Sequence, residues 1–508
     1  MSEATTIKAL AWLTPKLGSN ISVILSSLIF TYLAWVYLSS TVLHPLGRFP
    51  GPRISAITKL PYWIAAYNGT QVQWLQRLHA RYGPVVRFAP NDISYTDARA
   101  WKDIYGYQKG RKENSRDRKF YPEPENGSPS LPDISDTEKH GIVRRAFAPA
   151  FSDRAIKGQE GLLQNYANLM VTVLQNALQE KGGAGADIAK IYNLATFDIM
   201  ADLTYGESLG CLKTSEYTTW IELVFTSISF IPLIQFLQSY PILGALFKML
   251  EPESVKKTRI AHHQYSADRL DRRLARGADR ADVWSGVLSG DGNHLLSLQE
   301  LRTNSEVFMT AGTETSATLL SGLTYLLLRN PRSMDLLTKE IRGAFNSNEQ
   351  MSIEALARLP YLNACIEEGL RMYPPVPQGF PRTIAKGGNV VLGEWLPEGT
   401  SVSVSTTAAY RDPNYFKDPN EFVPERWMGD PKYENDKRDA RQPFSFGPRN
   451  CLGMGLAWHE MRLLLSKVIF NFDLELCDKS EDWFDQKIYV LWAKKPLMCR
   501  GVRVSTGA

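Results

Sequence analysis

The chain has 508 residues, 44% hydrophobic and 22% charged, a mix that buries a large core and excludes a low-complexity or disordered polymer. A net charge of +5 makes no demand for nucleic acid, and five scattered cysteines, an odd number, argue against a disulfide framework and for a reducing compartment. Length alone would suggest about three domains, yet no low-complexity linker divides the chain after residue 60.

Residues 1–20 read as an N-terminal tail. Ile21 to Leu43 is a run of 23 uncharged residues, long enough to cross a bilayer as a helix, with Tyr32, Trp35 and Tyr37 as interfacial aromatics. It is longer than a signal-peptide core and lacks a small-residue cleavage site, so a single-pass transmembrane anchor over 21–43 is expected. Lys8 and Lys16 precede it while Arg48, Arg53 and Lys59 follow, a small excess that favours a cytosolic body. Residues 44–60, rich in Pro and Gly, read as a stiff hinge, and 61–508 as the globular domain.

From Gln71 onward the pattern is mostly helical, with short strand-like pieces such as Val85 to Phe88. Residues 105–139 form a long polar loop of the kind found over binding sites. His140 and Arg144 then stand at i and i+4, on one helix face. Gly206-Glu-Ser208-Leu-Gly210 fits the nucleophile elbow of serine hydrolases, but what precedes it reads as helix, not strand, so it is taken as chance. Phe225 to Leu250 is apolar and broken by Pro232, Pro241 and Gly244, which suits a substrate entrance or a segment dipping into a membrane surface. The basic run from Lys256 to Arg276 reads as a solvated helix face.

Leu295 to Asn330 is expected as one long helix with a poor helix-forming patch, Ala311-Gly312-Thr313-Glu314-Thr315-Ser316, near its middle. Small residues there admit a ligand close to the backbone. The hydroxyls can bond back to carbonyls and open the ladder to water, and an adjacent carboxylate and hydroxyl can carry protons. Pro360 to Met372 is a second helix, with Glu368 and Arg371 on one face. A hairpin-like piece over 389–406 turns at Pro397-Glu-Gly399.

Late in the chain comes Phe444-Ser-Phe-Gly447-Pro-Arg449-Asn-Cys451-Leu-Gly453, followed by an apolar helical run from Leu456 to Phe470. A lone cysteine at a helix N-terminus is placed where the helix dipole favours its thiolate. Gly447 and Gly453 let a flat ligand approach the backbone, and Arg449 can reach an anionic edge. A single thiolate suits an iron already held by a macrocycle. His459-Glu460 begins like a zinc motif but lacks its second histidine.

This stretch resembles the haem-binding signature of the cytochrome P-450 family, F-x-x-G-x-R-x-C-x-G, at every fixed position. Four further motifs occur in family order. His140-x-x-x-Arg144 resembles the family's W-x-x-x-R, with His in place of Trp. Ala311-Gly-Thr-Glu314-Thr315 resembles its oxygen-activation patch, and Glu368-x-x-Arg371 and Pro424-Glu-Arg426-Trp427 resemble a paired ion network. The resemblance implies a mainly α single-domain cytochrome P-450 fold with small β-sheets and haem b held between the helix of Thr315 and the loop of Cys451. Cys451 would be the iron ligand, and Phe444, Gly447, Arg449, Gly453, Ala311 and Gly312 would border the haem. His140, Arg144 and Arg382 would bind its propionates, Glu314 and Thr315 would deliver protons, and Glu368, Arg371 and Arg426 would hold the cysteine loop.

The implied reaction is a monooxygenation of a lipophilic small molecule, of the kind carried out by fungal secondary-metabolism members. Since Gly453-Met-Gly455 is not a completed dinucleotide fingerprint, electrons are expected from a separate protein, and the resemblance implies a NADPH-dependent flavoprotein reductase at the endoplasmic reticulum membrane. A haem-thiolate isomerase or dehydratase needing no external electrons, and a non-catalytic haem-binding protein, are the alternatives.

Overall fold

The computed structural model describes residues 23–121, 127–179, 185–277, 280, 282–288 and 296–504. Its organising element is the helix Leu298–Arg329. Ser297 opens it with a capping box, its hydroxyl accepting from the Glu300 N–H while the Glu300 carboxylate accepts from the Ser297 N–H at 2.8 Å. Pro331 prevents its continuation and starts the next helix. In its second half every residue from Ser316 to Leu327 is buried, with Leu319, Leu320, Leu323, Leu326 and Leu327 forming one apolar face, so the helix is enclosed by others on all sides. Its neighbours are Ile188–Tyr205, itself almost wholly buried, Pro360–Met372 and Met454–Asn471. Each fully buried leucine contributes about 1.5–3 kcal/mol, which makes this the rigid centre of the molecule.

Among the described residues the strands form four small sheets. Five strands run in the order Val85–Ala89, Asp92–Tyr95, Ser401–Val404, Arg382–Thr383 and Ser115–Arg116. Only the second and third of these pair in parallel. The expected hairpin is realised with a different turn: Asn389–Val391 pairs with Glu394–Leu396 through Leu392 and Gly393, both at positive φ. That is the backbone a two-residue hairpin turn requires, and it frees Ser401–Val404 to join the larger sheet.

Val23–Thr41 is helical with none of its side chains buried, as an anchor requires; residues 21 and 22 and the tail 1–20 lie outside the described residues. The hinge is less free than a spacer. Leu46 is buried, the Pro50 carbonyl accepts from the Arg87 N–H at 2.8 Å, and Arg87 also donates to the Ser40 carbonyl at 2.9 Å. The foot of this helix is thereby tied to the body. The apolar stretch after Phe225 forms two helices, Thr219–Ser239 and Pro241–Met249. The first is long and apolar enough to span a membrane but packs Trp220, Ile221, Val224 and Ile228 inward; the second buries nothing.

Two expectations change with tertiary contact. The basic run, in the helix Glu253–Ala275, is not wholly solvated: Arg273 and Asp282 form a buried ion pair, and Arg272 reaches Glu207 at 2.8 Å. Ser208 follows a helix and donates to Asp198 at 2.8 Å, so the elbow pattern is a capping turn and not a nucleophile.

Candidate functional site

The cysteine loop is shaped by two residues at positive φ, Ser445 and Gly447. A Cβ on Gly447 would stand 2.1 Å from the Tyr105 carbonyl oxygen, so only glycine fits there. The loop closes with the Cys451 N–H donating to the Phe444 carbonyl at 2.9 Å, and the Phe444 ring lies 6.5 Å from Trp458. Cys451 is exposed whereas the other four cysteines are buried. Its sulfur is reachable yet recessed, and burial raises the thiol pKa against the lowering influence of the Gly453 N–H and Arg144. The helix itself begins only at Met454, so the expected helix-dipole gain is outweighed, and coordination to a metal is what would deprotonate the sulfur. A Cβ on Gly453 would meet only Phe151, at 3.9 Å. Protein packing therefore does not require glycine there, which leaves room for a flat ligand.

Around one edge of this loop four guanidiniums converge. Arg144 donates to the carbonyl and side-chain oxygen of Asn450 at 2.7 and 2.6 Å. Arg449, buried, donates to the Ile134 and Ser135 carbonyls and to Glu113. Arg382 and Arg116 stand directly opposite each other on paired antiparallel strands, an arrangement that destabilises a sheet unless an anion lies between the charges. The Nε of each is buried with no hydrogen-bond partner among the described residues. Burial and the neighbouring Arg116 and Arg449 lower the Arg382 pKa to about 9. His140 is buried beside Arg449, Arg116, Arg144 and Arg382, and burial with this positive field pushes its pKa down to about 3. It is therefore neutral in this cage. A lone accessible thiol, glycine clearance and an under-neutralised arginine cage fit haem b, whose two carboxylates would satisfy the orphan donors. Arg116 was not identified as a site residue from sequence, because its two-residue strand carries no periodic signal.

The middle of the central helix divides its roles by face. Ala311 is exposed and Thr315 half-buried, in a helix otherwise enclosed at that level. The Thr315 hydroxyl donates to the Ala311 carbonyl at 2.6 Å and Thr313 to Met309 at 2.7 Å. The helix nonetheless stays continuous, so these bonds supplement the ladder and the expected opening is not seen. A Cβ on Gly312 would come within 2.7 Å of Met200, so its smallness serves packing against Ile188–Tyr205 and it does not lie on the open face. Glu314 is buried and turned to Lys494, whose ammonium contacts its Oε1 at 2.5 Å and the Thr318 hydroxyl at 2.7 Å. Burial lowers the Lys494 pKa, partly offset by Glu314. Glu314 and Thr315 thus point different ways, a separation that their adjacency on the helix conceals.

Ser316 reaches a third carboxyl. Its hydroxyl donates at 2.8 Å to Glu460, which burial raises to a pKa of about 8, above its ordinary 4.5. Between pH 4.5 and 8 the folded protein therefore holds a proton that the unfolded chain has lost, and stability declines as pH rises, by about 3 kcal/mol from pH 4.5 to 7. Glu460→Gln keeps an acceptor for Ser316 without that proton. We expect its melting temperature to exceed the parent's at pH 8 and the gap to close near pH 4.5; parallel pH profiles would contradict the assignment.

The ion network expected behind the loop is present and buried. Glu368 receives Arg371 at 2.9 and 2.7 Å, Arg426 at 3.1 Å and the Trp427 indole at 2.9 Å. Arg371 also donates to the Tyr410, Pro419 and Glu421 carbonyls. Burial would raise the Glu368 pKa, but Arg371 and Arg426 overcome it and hold the carboxyl below its ordinary value.

Comparison with known proteins agrees with this geometry. The family model for cytochrome P-450 matches residues 50–500. The chain is 45% identical over 458 residues to the cytochrome P-450 monooxygenase FUM2 of Gibberella moniliformis, covering 90% of this chain and 97% of the relative. It is 44% identical over 479 residues to the monooxygenase efuB of Hormonema carpetanum, covering 93% and 94%. It is also 40% identical over 464 residues to the averantin hydroxylase of Dothistroma septosporum, covering 90% and 87%. With its lone thiol, arginine cage and helical scaffold, the chain belongs to the cytochrome P-450 family and is an oxidoreductase of the haem monooxygenase class.

Proposed function

We propose that the protein is a membrane-anchored haem-thiolate monooxygenase that oxidises a lipophilic secondary metabolite, using O2 and electrons from a separate NADPH-dependent flavoprotein reductase. The observation that carries this reading is one exposed, recessed thiol beside four guanidiniums that outnumber their carboxylates. Haem b supplies the oxygen-activating chemistry when bound. Cys451 provides its single protein ligand. Arg144, Arg382 and Arg449, joined by Arg116 and the neutral His140, hold the propionate edge. Phe444 and Gly447 shape the loop, while Gly453 and Ala311 leave clearance for the ring. Thr315, its hydrogen committed to the Ala311 carbonyl, keeps its oxygen lone pairs free and would there accept a bond from a proton-carrying water. Glu314, paired with Lys494 on the other side of the helix, would serve the same route through the Lys494 ammonium, which also contacts Thr318.

The surface supports a resting position on the endoplasmic reticulum membrane, with the body in the cytosol. Ile242, Leu243, Leu246 and Phe247 are exposed on Pro241–Met249, and Ile54, Leu60 and Ile64 are exposed just after the anchor. The helix Leu60–Tyr67 packs on Thr219–Ser239, which brings the two apolar groups to related parts of the surface. The inward-facing residues of Thr219–Ser239 support a single pass. A substrate dissolved in the bilayer would enter from this side, and the basic residues around the cysteine loop suit docking of the reductase.

The test uses the purified full chain with a reductase and the apolar metabolites of the source cells. Product that requires both NADPH and O2 is expected. Product formed without NADPH would instead indicate an isomerase or dehydratase, and haem binding without any product a non-catalytic protein. Comparing metabolites of cells with and without the active protein identifies the substrate. Thr315→Ala is expected to keep NADPH consumption but divert most reducing equivalents to peroxide, read as hydrogen peroxide formed per NADPH. Unchanged coupling would remove Thr315 from proton handling.

A further inference from the structure

The arginine cage contains one carboxylate that propionate binding does not need. Glu113 accepts from Arg449 Nε at 2.6 Å and lies 3.7 Å from Arg382, and its side chain is 14% exposed against 0% and 1% for the two arginines. It is not the tip of a free loop. The next residue, Asn114, is buried, donates to the Ile104 carbonyl at 3.2 Å, accepts from Asn389 at 3.0 Å, and offers its own carbonyl to Arg382 at 3.4 Å. Ser115 and Arg116 then enter the sheet. On its outer side Glu113 lines a groove of about 460 Å³ with Gly106, Asn114, Thr137, Asn389 and Pro448. The carboxylate therefore stands where a surface groove meets the buried cations.

Four guanidiniums around a haem edge favour the form of the iron with less positive charge, the reduced one. Two propionates offset only part of that field. A third, fixed carboxylate acts in the opposite sense, and in a buried setting its effect is not screened away.

We propose that Glu113 is a potential-setting residue whose charge, beside Arg449 and Arg382, holds the haem iron toward its oxidised form. This rests on the haem reading given above. It also gives the groove a consequence: charge placed along it acts on the iron through the same cage.

The experiment is spectroscopic redox titration of the haem-loaded full chain, parent against Glu113→Gln and Glu113→Asp. Glu113→Gln is expected to shift the oxidised-to-reduced ratio at a given potential about tenfold toward the reduced form, a rise of ~59 mV for a one-electron couple. Glu113→Asp, which keeps the charge, is expected to stay within about threefold of the parent, whereas a merely structural role would make both variants move alike. An unchanged midpoint in Glu113→Gln, or equal shifts in the two variants, overturns the proposal. Should Glu113→Gln fail to retain haem, Thr137→Asp decides the matter, since Thr137 is exposed at the start of its helix and lines the same groove. A downward shift there supports the proposal and no shift overturns it. A parent without haem absorption would overturn the haem reading, whereas a normal parent with an unmoved Glu113→Gln midpoint overturns this inference alone.

Discussion

Cys451→Ala is expected to erase the red-shifted Soret band of the reduced, carbon-monoxide-treated protein and to bring monooxygenase turnover below detection. The reason is that the other four cysteines are buried and cannot take the sulfur's place, and the nearby His140 is itself buried beside Arg449, Arg116, Arg144 and Arg382. The fold itself should tolerate the change. Cys451 lies outside the core, so loss of its recessed sulfur opens no cavity there, and the haem-free variant should be within about 1 kcal/mol of the haem-free parent in stability. The arginine cage is untouched, so some haem should remain bound, with an altered spectrum. Absorption spectra and melting curves measured on one preparation separate these effects. A red-shifted band surviving in the alanine variant would mean that a different atom holds the iron.

Glu368→Gln should fail in the opposite way, through stability before chemistry. Arg371, Arg426 and Glu368 are each fully buried. Removing the carboxylate charge leaves two guanidiniums facing one neutral amide, although Arg426 keeps its ion pair with Asp436 and Arg371 keeps its carbonyl acceptors. Breaking a buried pair in this manner costs about 3–5 kcal/mol, against a total stability of about 5–15 kcal/mol for typical proteins. The strand of chain tied down by Arg371 and Glu368, from Tyr410 to Trp427, leads directly into the cysteine loop. We therefore expect a large fall in melting temperature and in haem retained after gel filtration, while the fraction that keeps haem shows a normal thiolate-type spectrum. A stable, fully haem-loaded Glu368→Gln protein would show the network to be dispensable.

Local chemistry made much of this protein legible in its sequence. The cysteine loop could be recognised because glycine, arginine and cysteine must stand at fixed offsets within one turn of chain, and such offsets survive in linear form. The helix Pro360–Met372 and the stop of the central helix at Pro331 were likewise set by proline chemistry within a few residues. The N-terminal helix was visible because it is one uninterrupted apolar run. What only the tertiary structure decided are the contacts made by residues far apart in the chain. Arg116 joins the cage through a two-residue strand paired with Arg382, and Lys494 claims Glu314 from 180 positions away. Met200 claims the face of Gly312, and Glu460 is kept protonated by burial against Ser316. A charge or a glycine takes its meaning from what is packed against it, and that depends on how helices and strands close in three dimensions, which no local spacing records.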